Sequence, residues 1–413
     1  MRLFPRRIGA RFVALLRADA SGVRAGFVAL LISSGGDLVT GIALASITGT
    51  LRELPGLLVL VPAAIGMRGN VFGALGSRLS TQIHAGTFRF SRRVDTEVGQ
   101  NMAASMLSTL SIAVLLAVLA KFMFEAFVGG KGISVADFLV VSVVGAVISS
   151  VVVLFLTVAV AVFCAHRELD LDNVAAPIVT AAGDMVTLPA LFLATYLLDI
   201  HILTQLVAIL CLVAGVVAAV VGYRAYGLPI LRRIMVESLP ILALAGFVDI
   251  LAGLTIQKRF ESFHHLPALL ILVPAFLEDA GSLGSILSAR VATKLHLGVL
   301  EAGRSAWRGI VEDVILIYLF AVSVFFFVAV SSTIAANLVN QASPGFGSML
   351  ALSMIAGAMA TTASVIVGFY AAVATFRFGL DPDNHGIPAV TSSLDLLGAL
   401  SLILGIALLG LHP

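Results

Sequence analysis

Long apolar stretches separated by short polar segments run along the chain from about residue 25 to its end. Eleven of them reach the length of about 20 residues that an α-helix needs to cross a bilayer. The pattern therefore predicts an all-α polytopic membrane protein with about eleven transmembrane helices. The predicted spans are 25–51, 57–83, 101–124, 135–165, 174–198, 202–222, 237–257, 267–293, 310–333, 348–376 and 387–410.

The polar positions within this pattern occur twice. The segment Asp170-Leu171-Asp172-Asn173, followed by Pro177, Thr180 and Asp184, returns as Asp381-Pro382-Asp383-Asn384, Pro388, Thr391 and Asp395, 211 positions later. Farther towards the N-terminus the displacement is 212, which relates Asp37 to Asp249 and Val61-Pro62-Ala63 to Val273-Pro274-Ala275. Two nearly equal displacements indicate a duplicated unit of five spans.

The sixth span, 202–222, has no counterpart in the repeat. Five is an odd number, so two directly joined units would be inverted, whereas one additional crossing makes them parallel about a pseudo-two-fold axis along the membrane normal. We therefore predict four segments. They are an N-terminal cytosolic amphipathic segment at 1–24, a first five-helix repeat at 25–199, a linker helix and loop at 200–235, and a second five-helix repeat at 236–413.

Composition supports a chain embedded in a lipid bilayer. The residues are 60% hydrophobic and only 12% charged, whereas charged residues make up about 25% of a typical soluble domain. The net charge of +2 gives no indication of nucleic-acid binding. Cys164 and Cys211 both lie in apolar runs, which predicts neither a disulfide nor a metal cluster.

The distribution of Lys and Arg predicts the orientation in the membrane. With a cytosolic N-terminus, the inside segments hold seventeen of these residues and the outside loops five. Because Lys and Arg accumulate on the cytoplasmic side, we expect a cytosolic N-terminus and an external C-terminus. We also expect the chain to lie in the plasma membrane. Residues 1–24 carry six arginines among apolar residues at helical spacing, which predicts an interfacial helix rather than a cleaved signal peptide.

Asp184 and Asp395 are the main candidates for a functional site, because an ionisable residue inside a membrane span is costly. Thr180 and Thr391 precede them by one turn and share their helix faces. Such oxygen donors suit hard divalent cations, and Mg²⁺ is usually held by one or two carboxylates while it retains water. The spans contain no Cys/His cluster of the kind that softer metals prefer. The alternative interpretation is that each aspartate is buried and bonded to hydroxyl groups of a neighbouring helix.

Other polar residues in the spans form a second group of pore or ion candidates: Asp37, Asp249, Asn70, Glu278 and Asp279. Asp37 and Asp249 could provide a second polar layer or bind the second helix of a repeat. The glycine-rich parts of the second and eighth spans predict either broken helices with carbonyls exposed to water or close packing through small residues. Glu278 and Asp279 break the repeat, since the first unit has Gly66-Met67 there.

At these residues the chain resembles a known family. Val-Pro-Ala followed by Gly-Asn and Ser-Arg-Leu-Ser-Thr, together with Asp-Pro-Asp-Asn followed by Pro, Thr and an intramembrane Asp, resemble the membrane domain of MgtE-type magnesium transporters. The tandem duplication with a linking helix is similar to the solute carrier 41 branch. The resemblance covers nearly the whole chain after the N-terminal segment.

The resemblance implies transport of Mg²⁺ by a fused pseudo-dimer, with an aspartate of the fifth helix of each repeat lining the pore and holding the hydrated ion. In this sequence these residues are Asp184 and Asp395. Two departures concern the spans: Ser282 stands where the first unit has Asn70, and Glu278-Asp279 replaces small residues. The chain also has no segment like the magnesium-sensing CBS domains of that family, so gating by such domains is not expected.

Two other functions remain as alternatives. A cation exchanger coupled to sodium or protons could use Glu278 or Asp279 as its coupling site. An intramembrane aspartyl hydrolase could use a pair of aspartates, but its usual Gly-x-Gly-Asp and Tyr-Asp signatures are missing around Asp184 and Asp395. We therefore predict a divalent cation transporter and not an enzyme.

Overall fold

The computed structural model describes residues 20–129, 132–167, 171–301, 306–380 and 385–411. In this part of the chain we find eleven helices that are long and apolar enough to cross a membrane, and no strands. They are α1 (Ala20–Ser46), α2 (Leu57–His84), α3 (Glu97–Phe127), α4 (Val135–Arg167), α5 (Leu171–Thr195), α6 (His201–Tyr223), α7 (Pro229–Gln257), α8 (Ala268–His296), α9 (Val311–Leu338), α10 (Phe346–Phe378) and α11 (Ile387–Leu408). The prediction of an all-α protein with about eleven transmembrane helices is confirmed.

The largest difference from the predicted spans is the start of the seventh helix. It begins at Pro229, eight residues before the predicted residue 237. Proline suits the first turn of a helix because it has no N–H that needs a partner there. The Gln100 side chain of α3 accepts hydrogen bonds from the Ile230 and Leu231 amides at 3.0 and 3.2 Å. The predicted amphipathic segment lies mostly outside the described residues, and the second acidic loop, 381–384, lies entirely outside them. Of the first acidic loop, residues 171–173 form the start of α5 and are not a loop.

The glycine-rich parts of α2 and α8 are continuous helix. The expectation of broken helices with exposed carbonyls is therefore wrong, and close packing through small residues explains part of the pattern. A Cβ added to Gly284 would lie 2.3 Å from the Leu394 side chain of α11. A side chain at this position would displace Leu394, so glycine here allows the neighbouring helix to pack closely.

The first helix of each repeat packs against the other repeat. α1 lies on α8, and a Cβ added to Gly41 would be 2.1 Å from the carbonyl oxygen of Ile271. α7 lies on α2, and a Cβ added to Gly253 would be 2.3 Å from the carbonyl oxygen of Val59. The residues in the two contacts are related by the displacement of 212, so the contacts are reciprocal, as a two-fold relation between the repeats requires.

Packing inside each repeat follows the same correspondence. The Ser142 hydroxyl of α4 donates to the carbonyl oxygen of Ala113 in α3 at 2.7 Å. In the second repeat, the Ser353 hydroxyl of α10 donates to the carbonyl oxygen of Phe325 in α9, also at 2.7 Å. The duplicated sequence therefore specifies the same helix contact twice.

The sixth helix lies at the periphery of the bundle. It packs mainly against α3 and α4, and only 28% of its most apolar segment is buried, against 78% for α8. Large apolar side chains such as Leu206 and Leu210 are exposed along it. Such a helix is suited to face lipid, and it links the repeats without lining the space between them.

Candidate cation site

A cavity of about 40 Å³ lies between the two repeats, large enough for about three water molecules. Nearly all of its wall consists of residues that the repeat displacements relate to one another. The pairs are Leu44 and Ile256, Val61 and Val273, Pro62 and Pro274, Ile65 and Leu277, Gly66 and Glu278, and Asp184 and Asp395. A cavity bounded by equivalent residues of both repeats lies at their pseudo-two-fold axis.

Asp184 and Asp395 bring their carboxyl groups to this cavity from α5 and α11. Asp184 is only 2% exposed, and Asp395 is partly exposed to the cavity. Each side chain would be costly to leave facing lipid. The helices instead direct both carboxylates to one small cavity, where a cation could be shared between them.

Asp37 and Asp249 lie behind these two residues. The carboxyl group of Asp37 lies against that of Asp184, and the carboxyl group of Asp249 lies against that of Asp395. Asp37 and Asp249 are fully buried, and none of their four carboxyl oxygens has a hydrogen-bond partner among the described residues. Two adjacent carboxyl groups are tolerated when a positive charge lies between or beside them. The arrangement can therefore accept a cation from the cavity.

Glu278 and Asp279 are adjacent in α8 but face different surroundings. Glu278 lines the cavity. Asp279 is fully buried and accepts a hydrogen bond from the Ser34 hydroxyl of α1, with distances of 2.7 and 3.0 Å to its two oxygens. Asp279 therefore ties α8 to α1, whereas Glu278 is available to an ion.

The remaining candidates lie outside the wall of this cavity. Thr180 is half-buried on α5, one turn before Asp184. The Thr391 hydroxyl lies within hydrogen-bond distance of the carbonyl oxygen of Ile387 in its own helix, at 3.1 Å, and of the side-chain oxygen of Asn70, at 3.3 Å across the boundary between the repeats. Asn70 also lines a second cavity of about 20 Å³, together with Arg78, Ser105 and Ser238. Thr391 and Asn70 therefore hold α11 against α2 beside the main cavity.

The carboxylates are not arranged as a closed cage for a bare ion. In the ranges that the structure describes, no three His, Cys, Asp or Glu side chains are placed to hold a metal ion together. A cation in the cavity would therefore keep water molecules between itself and part of this acidic group. This is the mode of binding that Mg²⁺ commonly uses.

Two features of the helices were missed by reasoning from the sequence. Arg68 of α2 is 3% exposed, and its Nε donates to the Ser149 hydroxyl of α4 at 2.9 Å. Asp313 of α9 forms ion pairs with Arg290, at 2.9 Å, and with Lys294. Aligning all charged positions by the displacement of 212 would have revealed both, since Arg68 corresponds to Ala280 and Asp313 to Asn101.

Comparison with known proteins supports the duplication. A family model described as "MgtE: Divalent cation transporter" matches residues 61–194 and again residues 273–405, which together make up more than half of the chain. The starts of the two matches differ by 212 positions and their ends by 211, the displacements found in the sequence. No solved structure matches the chain significantly.

Relatives are similar to the chain over most of its length. Solute carrier family 41 member 3 of Rattus norvegicus is 25% identical over 397 residues, covering 90% of this chain and 84% of the relative. Solute carrier family 41 member 2 of Homo sapiens is 24% identical over 418 residues, covering 94% of this chain and 71% of the relative. The similarity extends through both repeats and the linking helix.

Proposed function

The chain belongs to the MgtE divalent cation transporter family, and we propose that it moves Mg²⁺ through the space between its two repeats. Asp184 and Asp395 hold the ion, which keeps most of its water. The two repeats act as a fused pseudo-dimer in the plasma membrane. Because this is a family of transporters, the alternative of an intramembrane aspartyl hydrolase is discarded.

The observation that carries the proposal is the cavity at the pseudo-two-fold axis, with one aspartate from the fifth helix of each repeat in its wall. A single ion at this position can interact with both carboxylates. The two negative charges then match the charge of a dication, and water molecules can fill the remaining ligand positions. Neither repeat alone encloses the cavity, so the duplication is necessary for the site.

The chemistry of the wall favours Mg²⁺ over softer metals. The polar side chains that reach the cavity are carboxylates, and the rest of the wall is aliphatic, glycine or proline. Hard cations prefer oxygen ligands, whereas zinc and softer metals favour nitrogen and sulfur. The two buried cysteines, Cys164 and Cys211, lie elsewhere in the bundle.

Magnesium flux into proteoliposomes tests the proposal. We expect Asp184→Asn and Asp395→Asn each to lower the flux at least about tenfold, because each removes one charge while keeping the shape of the side chain. The double variant should abolish it. Glu53→Gln, which neutralises an exposed carboxylate outside the cavity, is the matched control and should transport at the parental rate. Parental flux in both single variants would refute the site.

A coupled exchanger is a second candidate function, because Glu278 adds a carboxylate to the cavity that the repeat does not require. The same vesicles distinguish the two functions. Passive transport needs only a magnesium gradient, whereas exchange requires a sodium or pH gradient across the membrane. Flux that is unchanged when both of these gradients are removed would exclude the exchanger.

The proposed orientation places the loop around Arg92 and the first turn of α7, with Arg232, in the cytosol, and Lys258 outside. Cysteines introduced at these positions can be labelled with a membrane-impermeant reagent on intact cells. We expect labelling at position 258 alone. Labelling at position 92 from outside would reverse the orientation without changing the proposed site.

A further inference from the structure

We infer that Glu278 is a third carboxylate that attracts the hydrated cation in the cavity, through water molecules that the ion retains, and that it draws the cation off the pseudo-two-fold axis, on the side of Asp37 and Asp184. The inference rests on the proposed function, because it concerns the same cavity. It adds a difference between the two halves, since the repeat provides no equivalent of Glu278 in α2.

Apart from Gly66 and Glu278, the related pairs in the wall of the cavity have the same polarity on both sides of the axis. Four of its six related pairs are apolar on both sides, and one is the pair of aspartates. Only Gly66 and Glu278 differ in polarity. A charge placed on one side of the axis shifts the most favourable position of a cation towards that side.

The half without the glutamate has its acidic side chains close to the backbone of α2. A Cβ added to Gly66 would lie 3.0 Å from a carboxyl oxygen of Asp249 and 3.4 Å from one of Asp395. The carboxyl groups of the second repeat therefore rest against the backbone of α2. The repeat displacements relate these contacts of Gly66 to Glu278 beside Asp37 and Asp184, and the Glu278 carboxylate faces both of those carboxyl groups as well as that of Asp395 across the cavity.

These acidic groups lack a counter-charge within the described residues. Both oxygens of the fully buried Asp37 are without a hydrogen-bond partner. Within the described residues, Glu278 accepts a hydrogen bond from the Ser282 hydroxyl at the long distance of 3.5 Å. Arg68 is a buried cation in α2, two residues after Gly66, but its guanidinium donates to the Ser149 hydroxyl. An ion that enters the cavity can supply the missing positive charge.

The other helices packed against α8 bring no charge that could replace the ion. Asp395 of α11 faces Glu278 and adds to the negative charge. Asp313 of α9 binds Arg290, which lies twelve residues, or about 18 Å, along α8 from Glu278. Arg377 lies in the last turn of α10. A cation from solution can supply the positive charge, and a dication is attracted more strongly than a monovalent ion because the interaction scales with charge.

Binding of Mg²⁺ to the purified full-length chain in detergent, measured by calorimetry, tests the inference. We expect Glu278→Gln to raise the dissociation constant about tenfold and to reduce the preference for Mg²⁺ over K⁺. Glu278→Asp keeps the charge and should recover part of the affinity, so a poorly folded glutamine variant would not leave the inference untested. Glu53→Gln is again the control and should bind as the parent does.

The two aspartates provide a separate readout. If the ion is held near Asp37 and Asp184, its binding should be weakened more by Asp184→Asn than by Asp395→Asn. Parental affinity in Glu278→Gln, together with equal losses in the two aspartate variants, would overturn the inference and leave the proposed function intact. Parental affinity in both aspartate variants would refute the proposed function itself.

Discussion

At the level of the cavity, the first repeat carries Gly66 and Arg68 in α2, and the second carries Glu278 and Ala280 at the corresponding positions of α8. The helices around these residues pack alike, as the reciprocal glycine contacts show. The two repeats have therefore kept the same helix packing, while the residues beside the pseudo-two-fold axis have become different. In a dimer of identical subunits, a change at one of these positions would appear on both sides.

The ends of α2 and α8 contact the next helix through different side chains. Arg78 donates to the neutral side chain of Asn101 at 2.8 Å in the first repeat. In the second repeat, Arg290 and Lys294 both bind the buried carboxylate of Asp313. At this joint between the second and third helices, the partner on the third helix is therefore a neutral amide in one half and a carboxylate in the other.

The largest expected effect would come from breaking the contacts between the repeats. Gly41→Ala and Gly253→Ala each place a Cβ within 2.1 or 2.3 Å of a backbone oxygen of the other repeat. Because backbone cannot move aside cheaply, we expect each to cost about 3 kcal/mol or more. Thermal unfolding in detergent measures the loss, with Gly35→Ala, which meets nothing within 4 Å, as the control. A loss in only one of the two variants would contradict the reciprocal packing.

A smaller loss of stability is expected at the two joints between the second and third helices, and its size would distinguish the ionic contact from the neutral one. Asp313→Asn leaves Arg290 and Lys294 without their shared carboxylate. Their side chains are 22% and 25% exposed, so solvent offsets part of the cost and we expect a loss of about 1–3 kcal/mol. Asn101→Ala should cost less, because it removes one hydrogen bond rather than an ion pair. Equal changes in the unfolding midpoint would show that the ionic joint is no stronger.

The smallest effect would test the symmetry inside the repeats. Ser142→Ala and Ser353→Ala each remove one hydroxyl hydrogen bond of 2.7 Å between the third and fourth helices. We expect each to lower stability by about 1 kcal/mol, and by the same amount in both repeats. Unfolding midpoints that differ clearly between the two variants would show that these joints have diverged as well.

The sequence was sufficient to predict the eleven helices and the duplication, because both depend on the spacing of polar residues within apolar runs. It could not predict that α1 and α7 each pack on the opposite repeat, since a displacement identifies equivalent residues and not their contacts. For the same reason it did not predict that Asp37 lies behind Asp184. The expectation of broken helices was wrong because glycine also serves close packing, as at Gly284.

The roles of the threonines show a further limit of the pattern. Thr391 shares a helix face with Asp395, which suggested a joint set of ligands. In the structure its hydroxyl is engaged with Asn70 of the other repeat. A helix face is wide enough for one residue to reach the cavity while its neighbour one turn away contacts another helix.

The number of Mg²⁺ ions bound per chain tests the central claim most directly. If Asp184 and Asp395 share one ion in the cavity between the repeats, equilibrium dialysis of the purified chain should find one ion bound per chain. Asp184→Asn and Asp395→Asn should each weaken the binding of this one ion, and the double variant should no longer bind it. Two ions per chain, each removed by only one of the substitutions, would mean separate sites in the two repeats and would contradict the account.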